Sequence, residues 1–214
     1  SKVMKDSADR YLTFLKSAAY GIQISGEIHL DLHAVTERKK KVIAIQESGI
    51  QNLLSAAGVT VIKGHGKILS ARQVAVSTDD GQLLQQNHDC LVLATGTVPA
   101  QITGLVVDHN DILSSNDLLS LQTLPESIVI VGGGIIGCEF ACILSAFGVK
   151  VVVVEAMERL LPLPSVDQDC SRLLLREMKK KKITVLCNTV VSGVQTDGDR
   201  LNVHLEPTPS AKEA

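Results

Sequence analysis

Tryptophan is absent, and only five aromatic residues occur among 214: Tyr11, Phe14, Tyr20, Phe140 and Phe147. With so few rings no stacking surface for nucleic-acid bases is expected, and the core must be built from Val, Ile, Leu and Ala. Excess charge is missing too. Lys plus Arg number 21 against 23 Asp plus Glu, a formal net charge of −2, which excludes a general nucleic-acid binder driven by positive charge. No apolar run reaches the roughly 18 residues of a membrane span, and the opening SKVMKDSADR lacks the apolar stretch of a signal peptide. Neither a nucleic acid nor a membrane is therefore expected as partner. Proline is missing before residue 99, and no fixed-period repeat or low-complexity tract occurs. The cysteines, Cys90, Cys138, Cys142, Cys170 and Cys187, are odd in number and scattered. That fits a reducing, cytoplasmic compartment better than a disulfide framework. What is present is an ordinary globular balance, 45% hydrophobic and 21% charged, sufficient for one large domain or two small ones.

Apolar residues recurring at three and four from Val3 to Tyr20 predict a first helix, with Gly21 as its stop. Asp31 is placed to cap a second, longer helix. Val42, Ile43, Ile50, Leu53, Leu54 and Ala57 would line its buried face, residues 37–41 would be solvated, and Gly58 would end it. A β-rich stretch follows. Val59 to Ile62 reads as a strand, broken by Gly64-His65-Gly66. Val74 to Ser77 and Gln82 to Gln86 flank Asp79-Asp80-Gly81, a hairpin signal. The continuous run Cys90 to Ala94 predicts a strand buried on both faces, ended by Thr95-Gly96-Thr97. Ser114-Ser115-Asn116-Asp117 is a helix-start cluster, and a connector is expected over 108–124. The tail Pro207-Thr208-Pro209-Ser210 reads as frayed.

The strongest signal runs from Ser127 to Glu155, 29 residues, the size of one βαβ crossover. Ile128 to Val131 is a buried strand. Gly132-Gly133-Gly134-Ile135-Ile136-Gly137 satisfies G-x-G-x-x-G, an apolar helix follows to Phe147, and Val151 to Val154 is a second buried strand with Glu155 at its end. In such a unit Gly132 allows the tight turn, Gly134 lets backbone approach a pyrophosphate, and Gly137 lets helix and sheet pack closely. The helix N-terminus offers N–H groups to phosphates. Glu155 can accept from ribose hydroxyls and would repel a 2′-phosphate, which favours NAD over NADP; Arg159, four residues on, weakens that preference slightly. The competing reading is a glycine-rich turn that merely packs well.

Other features carry plainer readings. Cys138 and Cys142 share a helix face and read as buried small hydrophobes rather than a thiol pair. His29 and His33 lack further ligands for a metal. Lys179 to Lys182 reads as a solvated helix C-terminus. No catalytic triad or carboxylate pair is picked out by spacing.

Taken together, these residues resemble the flavin-dependent pyridine nucleotide–disulfide oxidoreductases, and within them the dihydrolipoamide dehydrogenase branch, over nearly the whole chain. Ser1-Lys2 resembles the end of the family's redox motif. Gly64-His65-Gly66-Lys67 and Leu93-Ala94-Thr95-Gly96-Thr97 resemble segments that meet FAD. Gly132 to Glu139 with Glu155 resembles the NAD domain, and Leu160-Leu161-Pro162 to Asp167 resembles its Leu-Pro then Asp segment, lengthened by residues 163–166. The resemblance implies an α/β fold: a partial FAD domain over 1–107 (helices, a β meander and a parallel strand), the connector, and a Rossmann-like NAD domain over 125–214.

It further implies FAD contacts at Gly66, Thr95, Gly96 and Thr97, and NAD contacts at Gly132, Gly133, Gly134, Ile135, Ile136, Gly137, Cys138, Glu139, Glu155 and Val191. A Lys2–Glu139 pair would lie beside the flavin. The implied activity is oxidation of dihydrolipoamide with hydride passing through FAD to NAD. The implied partner is a dihydrolipoamide-bearing protein of a 2-oxoacid dehydrogenase or glycine cleavage complex, and the parent would be a homodimer. The family's first glycine motif, its Cys-x4-Cys disulfide and its His-x4-Glu pair are not found in these residues. The chain is accordingly expected to be an internal part of a longer protein, to bind NAD and to be inactive alone. The alternatives are a sibling flavin disulfide reductase (glutathione, mercuric or transhydrogenase type) and a non-catalytic NAD-binding module.

Overall fold

A computed structural model describes residues 1–102, 104–198 and 200–208. The chain divides into two compact units, residues 1–40 with 99–214, and residues 41–98.

The first unit is built on a parallel sheet, β4 (Ser127–Val131), β5 (Lys150–Val154) and β6 (Thr184–Leu186), in the order β4-β5-β6. Ile128 pairs with Val151 and Val153 with Val185. The crossovers are α4 (Ile135–Ala146) and α5 (Gln168–Lys180). Helix α4 is apolar on two faces, Glu139 and Ser145 apart, and both faces are buried. Phe140, Ala141 and Leu144 join Val151, Val153, Met178 and Ile183 in one core. Ile143, Ala146 and Phe147 join Met4, Ala8, Leu32 and Val35 in another.

That second core is supplied by α1 (Lys2–Leu15) and the start of α2 (Leu32–Ala56). A 3₁₀ turn (Ser17–Tyr20) continues α1 as far as Gly21, which takes the left-handed conformation at φ 73° as expected of a stop. Asp31 caps α2 as predicted, its Oδ1 accepting from the Ala34 amide at 2.9 Å. Arg38 ties the two helices, donating to Asp6 Oδ2 at 2.6 Å, Ser7 Oγ and the Val3 carbonyl. The expectation that residues 37–41 are solvated needs correcting at Lys39. This residue is buried, and its ammonium donates to the Leu119 carbonyl. The short α3 (Ser115–Leu118) carries a capping box between Ser114 and Asp117, which bears out the helix-start signal.

Beyond β6, the hairpin β7 (Thr189–Asp197) and β8 (Arg200–Pro207) closes the described chain. The tail read as frayed is held as far as Thr208, whose amide donates to Asn188 O and whose hydroxyl donates to Ala156 O. Pro209 and Ser210 lie outside the described residues.

The second unit holds an antiparallel meander, β1 (His65–Ser70), β2 (Gln73–Ser77) and β3 (Leu83–Asn87). The predicted hairpin is present, with Ser77 opposite Leu83. Gly64-His65-Gly66 does not interrupt a strand; it begins one. A Cβ on Gly64 would lie 2.4 Å from Ser77 O, so glycine there allows two backbones to touch. Two predicted strands do not form. Neither Val59 to Ile62 nor Cys90 to Ala94 has a ladder partner among the described residues, and Val92 is 81% exposed. The α2 face predicted to be buried is likewise open, with Ile50 58% and Leu53 72% exposed. These runs have the composition of a buried layer but no layer here to pack on. Among the described residues no helix is long and apolar enough to cross a membrane.

Candidate functional site

The turn after β4 is fixed atom by atom. Gly132 leaves the strand at φ 110°, a conformation that disfavours a side chain, and its amide donates to Val154 O at 2.8 Å. The Gly133 amide donates to Glu155 Oε2 at 2.6 Å. Gly133 also packs tightly, since a Cβ there would meet Leu160 at 2.6 Å and Glu155 at 3.1 Å. Gly134 is different. It caps α4 in an extended conformation open to any residue, φ −72° and ψ −174°, and a Cβ on it would meet nothing within 4 Å. Gly137 is the tightest, with a Cβ falling 2.0 Å from Gly132 O.

Glycine at 132, 133 and 137 is thus required by the protein itself. Glycine at 134 is not, and it leaves free space over the first turn of α4. There the amides of Gly134, Ile135, Ile136 and Gly137 precede the first i to i−4 bond, made by Cys138 to Gly134 O at 3.0 Å. Donors, a positive dipole end and open space together make a cradle for a phosphate.

Glu155, directly after β5, is buried. Its Oε1 accepts from the Met157 amide at 2.8 Å and its Oε2 from Gly133. A carboxylate has about four acceptor positions, so two are left for ligand hydroxyls. The following loop is pinned to the glycine turn by Leu161 N–H donating to Gly133 O at 2.8 Å. Arg159 is spent within that loop, donating to the carbonyls of Leu161 at 3.0 Å, Leu163 at 3.2 Å and Val166 at 3.1 Å. The residue read as a possible attraction for a 2′-phosphate is therefore a loop clamp. Asp167 ends the loop by capping α5 through the Asp169 amide. Thr189 N–H donates to Glu155 O at 3.1 Å, which sets the start of β7, and Val191 on it, behind this acid. Sequence spacing reveals neither the Gly133–Glu155 bond nor the clamp, because both depend on how two loops meet.

One turn further along α4, Ser1 Oγ donates to Glu139 Oε2 at 2.8 Å. Among the described residues no ion pair joins Lys2 to Glu139, so the expected contact is made by the neighbouring hydroxyl. The cation that senses Glu139 is Lys5, one turn on. Its ammonium is held above the ordinary lysine value mainly by its hydrogen bond and charge contact with Asp9, with smaller contributions from Cys142 and Glu139. Cys138 is buried, its thiol donates to Gly133 O at 3.3 Å, and burial pushes it up to about 11. Burial also raises Cys142. These are packing thiols, as read from the sequence.

In the other unit, Gly66 lies in β1 opposite Val76. Thr95, Gly96 and Thr97 form an exposed irregular stretch, with Gly96 at φ 74° in open space. His29 and His33 are exposed, and no cluster of potential metal ligands occurs among the described residues.

A family model described as pyridine nucleotide-disulphide oxidoreductase matches residues 1–211. A dihydrolipoyl dehydrogenase of Bacillus subtilis is 33% identical over 201 residues, 89% of this chain and 41% of that protein. One from Acholeplasma laidlawii is 33% identical, covering 91% and 57%. A leghemoglobin reductase of Glycine max is 29% identical, covering 92% and 37%. Among solved structures, LpdA from Mycobacterium tuberculosis superposes with a TM-score of 0.82 at 25% identity, covering 95% of this chain and 44% of that one. The chain spans less than half the length of most of these relatives.

Proposed function

The chain belongs to the pyridine nucleotide–disulphide oxidoreductase family, and on that premise we propose that its residues 125–214 bind NAD within a dihydrolipoyl dehydrogenase-like flavoprotein. The observation that carries this reading is the open space over Gly134 at the start of α4, with the carboxylate of Glu155 fixed beside the same turn. The pyrophosphate would rest on the α4 amides and the adenosine ribose would donate to Glu155. Arg159 is held in its own loop by three carbonyls and the Glu155 carboxylate would repel a 2′-phosphate, so NAD is preferred over NADP.

Residues 1–107 would contribute part of an FAD shell, with Gly66, Thr95, Gly96 and Thr97 meeting FAD through backbone groups, and 108–124 would connect the two. Lys2, Ser1 and Glu139 would stand near the flavin, where a hydrogen-bonded carboxylate sets the local field. When bound, the nicotinamide and flavin rings supply the hydride chemistry, and the protein supplies position and exclusion of water. The whole protein would oxidise dihydrolipoamide borne by a 2-oxoacid dehydrogenase or glycine cleavage complex, as a cytoplasmic homodimer. These 214 residues hold no Cys-x4-Cys pair, so they are expected to bind NAD without lipoamide activity.

The test is a fluorescence titration of the chain with NADH and NADPH. Saturable NADH binding, tighter than NADPH by about tenfold or more, supports the reading. No NADH binding, or equal affinity for both, overturns it.

A further inference from the structure

Helix α5 carries more positive charge than its own stability uses. Residues 168–182 hold six cations, Arg172, Arg176 and Lys179 to Lys182, against Asp169 and Glu177. That is a net +4 within a chain of net −2, so the rest carries net −6. Lys179 and Lys180 lie in the last turn, where the helix dipole favours cations. Arg172 and Arg176 lie before that turn and gain nothing from it. The spacing puts Arg172, Arg176, Lys179 and Lys180 on one face, where like charges four residues apart repel.

The two carboxylates give partial relief. Arg172 pairs with Asp169 at 3.0 Å, Lys180 with Glu177 at 2.7 Å, and Arg176 reaches Glu177 only at 3.7 Å. All three cations stay exposed, at 73%, 62% and 67% of the side chain respectively. Among the described residues Lys179, Lys181 and Lys182 make no ion pair within 4 Å, and Lys181 feels Glu177 only at longer range. The four cations of the stripe line a shallow groove with Leu175. Leu173, 52% exposed, lies beside Arg172 and Arg176 in a second groove. The cation stripe is flanked by the exposed Leu173 on one side and on the other by Leu175, which packs against the core with Met178.

We propose that this face of α5 is a docking surface for a short acidic segment of another protein, with carboxylates on Arg172, Arg176, Lys179 and Lys180 and an apolar side chain on Leu173. The charge complementarity selects an acidic occupant, and the exposed Leu173 selects one with an apolar side chain of its own. An extended polyanion fits less well. For a nucleic acid, the five rings of the chain offer bases little to stack on. This surface is independent of the dinucleotide reading.

The test uses the intact chain and a fluorescein-labelled peptide of glutamates interrupted by leucines, followed by anisotropy at low salt. Binding that weakens as salt is added is expected. The variant Arg172→Gln, Arg176→Gln, Lys179→Gln, Lys180→Gln should bind about tenfold more weakly or worse. A control of equal net charge, Lys16→Gln, Lys40→Gln, Lys63→Gln, Arg72→Gln, should bind like the parent. Arg176→Gln alone should weaken binding about threefold, which keeps the test decisive if the fourfold variant unfolds. Three results would each overturn the proposal: equal loss in both fourfold variants, undiminished binding of a glutamine-for-glutamate peptide, or tighter binding of single-stranded DNA or phosphatidylserine vesicles than of the peptide.

Discussion

Two methyl groups, placed three residues apart, should have opposite consequences. In Gly137→Ala the new Cβ would sit 2.0 Å from Gly132 O, 3.1 Å from Gly132 C and 3.4 Å from Ile130 Cγ2. The first two are backbone atoms, so no rotamer change relieves the clash. Helix α4 must back away from the β4 turn by more than an ångström, although it is buried on two sides. Overpacking of this kind costs about 1–3 kcal/mol or more, and the rigid backbone obstacle argues for the upper end. In Gly134→Ala the Cβ meets nothing within 4 Å and the backbone conformation suits alanine. Alanine caps a helix less well than glycine, by about 0.5–1 kcal/mol. It also restricts the unfolded chain, a gain of about 0.4–1 kcal/mol. The two nearly cancel. The methyl would, however, fill the space proposed for the pyrophosphate. Urea unfolding followed by circular dichroism, with NADH titration alongside, separates the cases. Gly137→Ala should lower the unfolding midpoint strongly. Gly134→Ala should unfold within about 0.5 kcal/mol of the parent yet bind NADH at least about tenfold more weakly. A Gly134→Ala chain that binds NADH like the parent would refute the assignment of that space.

Glu155→Gln keeps the shape but sets an amide group against the Gly133 and Met157 N–H donors; it should cost about 1–3 kcal/mol in thermal or urea unfolding and weaken NADH binding too. Hydrogen exchange read by mass spectrometry should show residues 59–62 and 90–94 exchanging quickly and 152–154 slowly, because only the latter have ladder partners on both sides. Protection at 90–94 equal to that at 152–154 would contradict the absence of a strand there. Iodoacetamide at mildly alkaline pH should label exposed Cys90 and Cys170 long before buried Cys138, since the thiolate is the nucleophile and Cys138 is raised to about 11. The sign of the stability effect follows. The folded value lies above the ordinary 9.0, so the contribution of neutral Cys138 is complete below about pH 9 and is lost as pH rises towards 11. A Cys138→Ala chain should lose stability less steeply over that interval in thermal melts.

The readings that came true rest on local rules. Glycine spacing, two β-branched runs and a terminal acid describe one covalently short unit, so Ser127 to Glu155 was legible almost residue by residue, as were the Asp31 and Ser114 caps and the hairpin at Asp79-Asp80-Gly81. The readings that failed concern partners. Val59 to Ile62, Cys90 to Ala94 and the Ile50–Leu53 face of α2 have buried-type sequences, but burial needs a second surface, and the described residues supply none. Lys39 failed for the opposite reason, since a lysine amid charged neighbours gives no hint of a carbonyl waiting 80 positions away at Leu119. Within the site, the tight turn at Gly132 and the close packing at Gly137 were legible. The packing requirement at Gly133 was not legible, because its need for a missing side chain comes from Leu160 and Glu155 folding over it.

A crystal structure of the chain grown with NAD tests the central claim most directly. The account predicts the pyrophosphate over Gly134, accepting from amides at the start of α4, with ribose hydroxyls donating to Glu155 and Arg159 still bound to its three carbonyls. A dinucleotide bound elsewhere, or one whose ribose is met by Arg159 instead of Glu155, would contradict it.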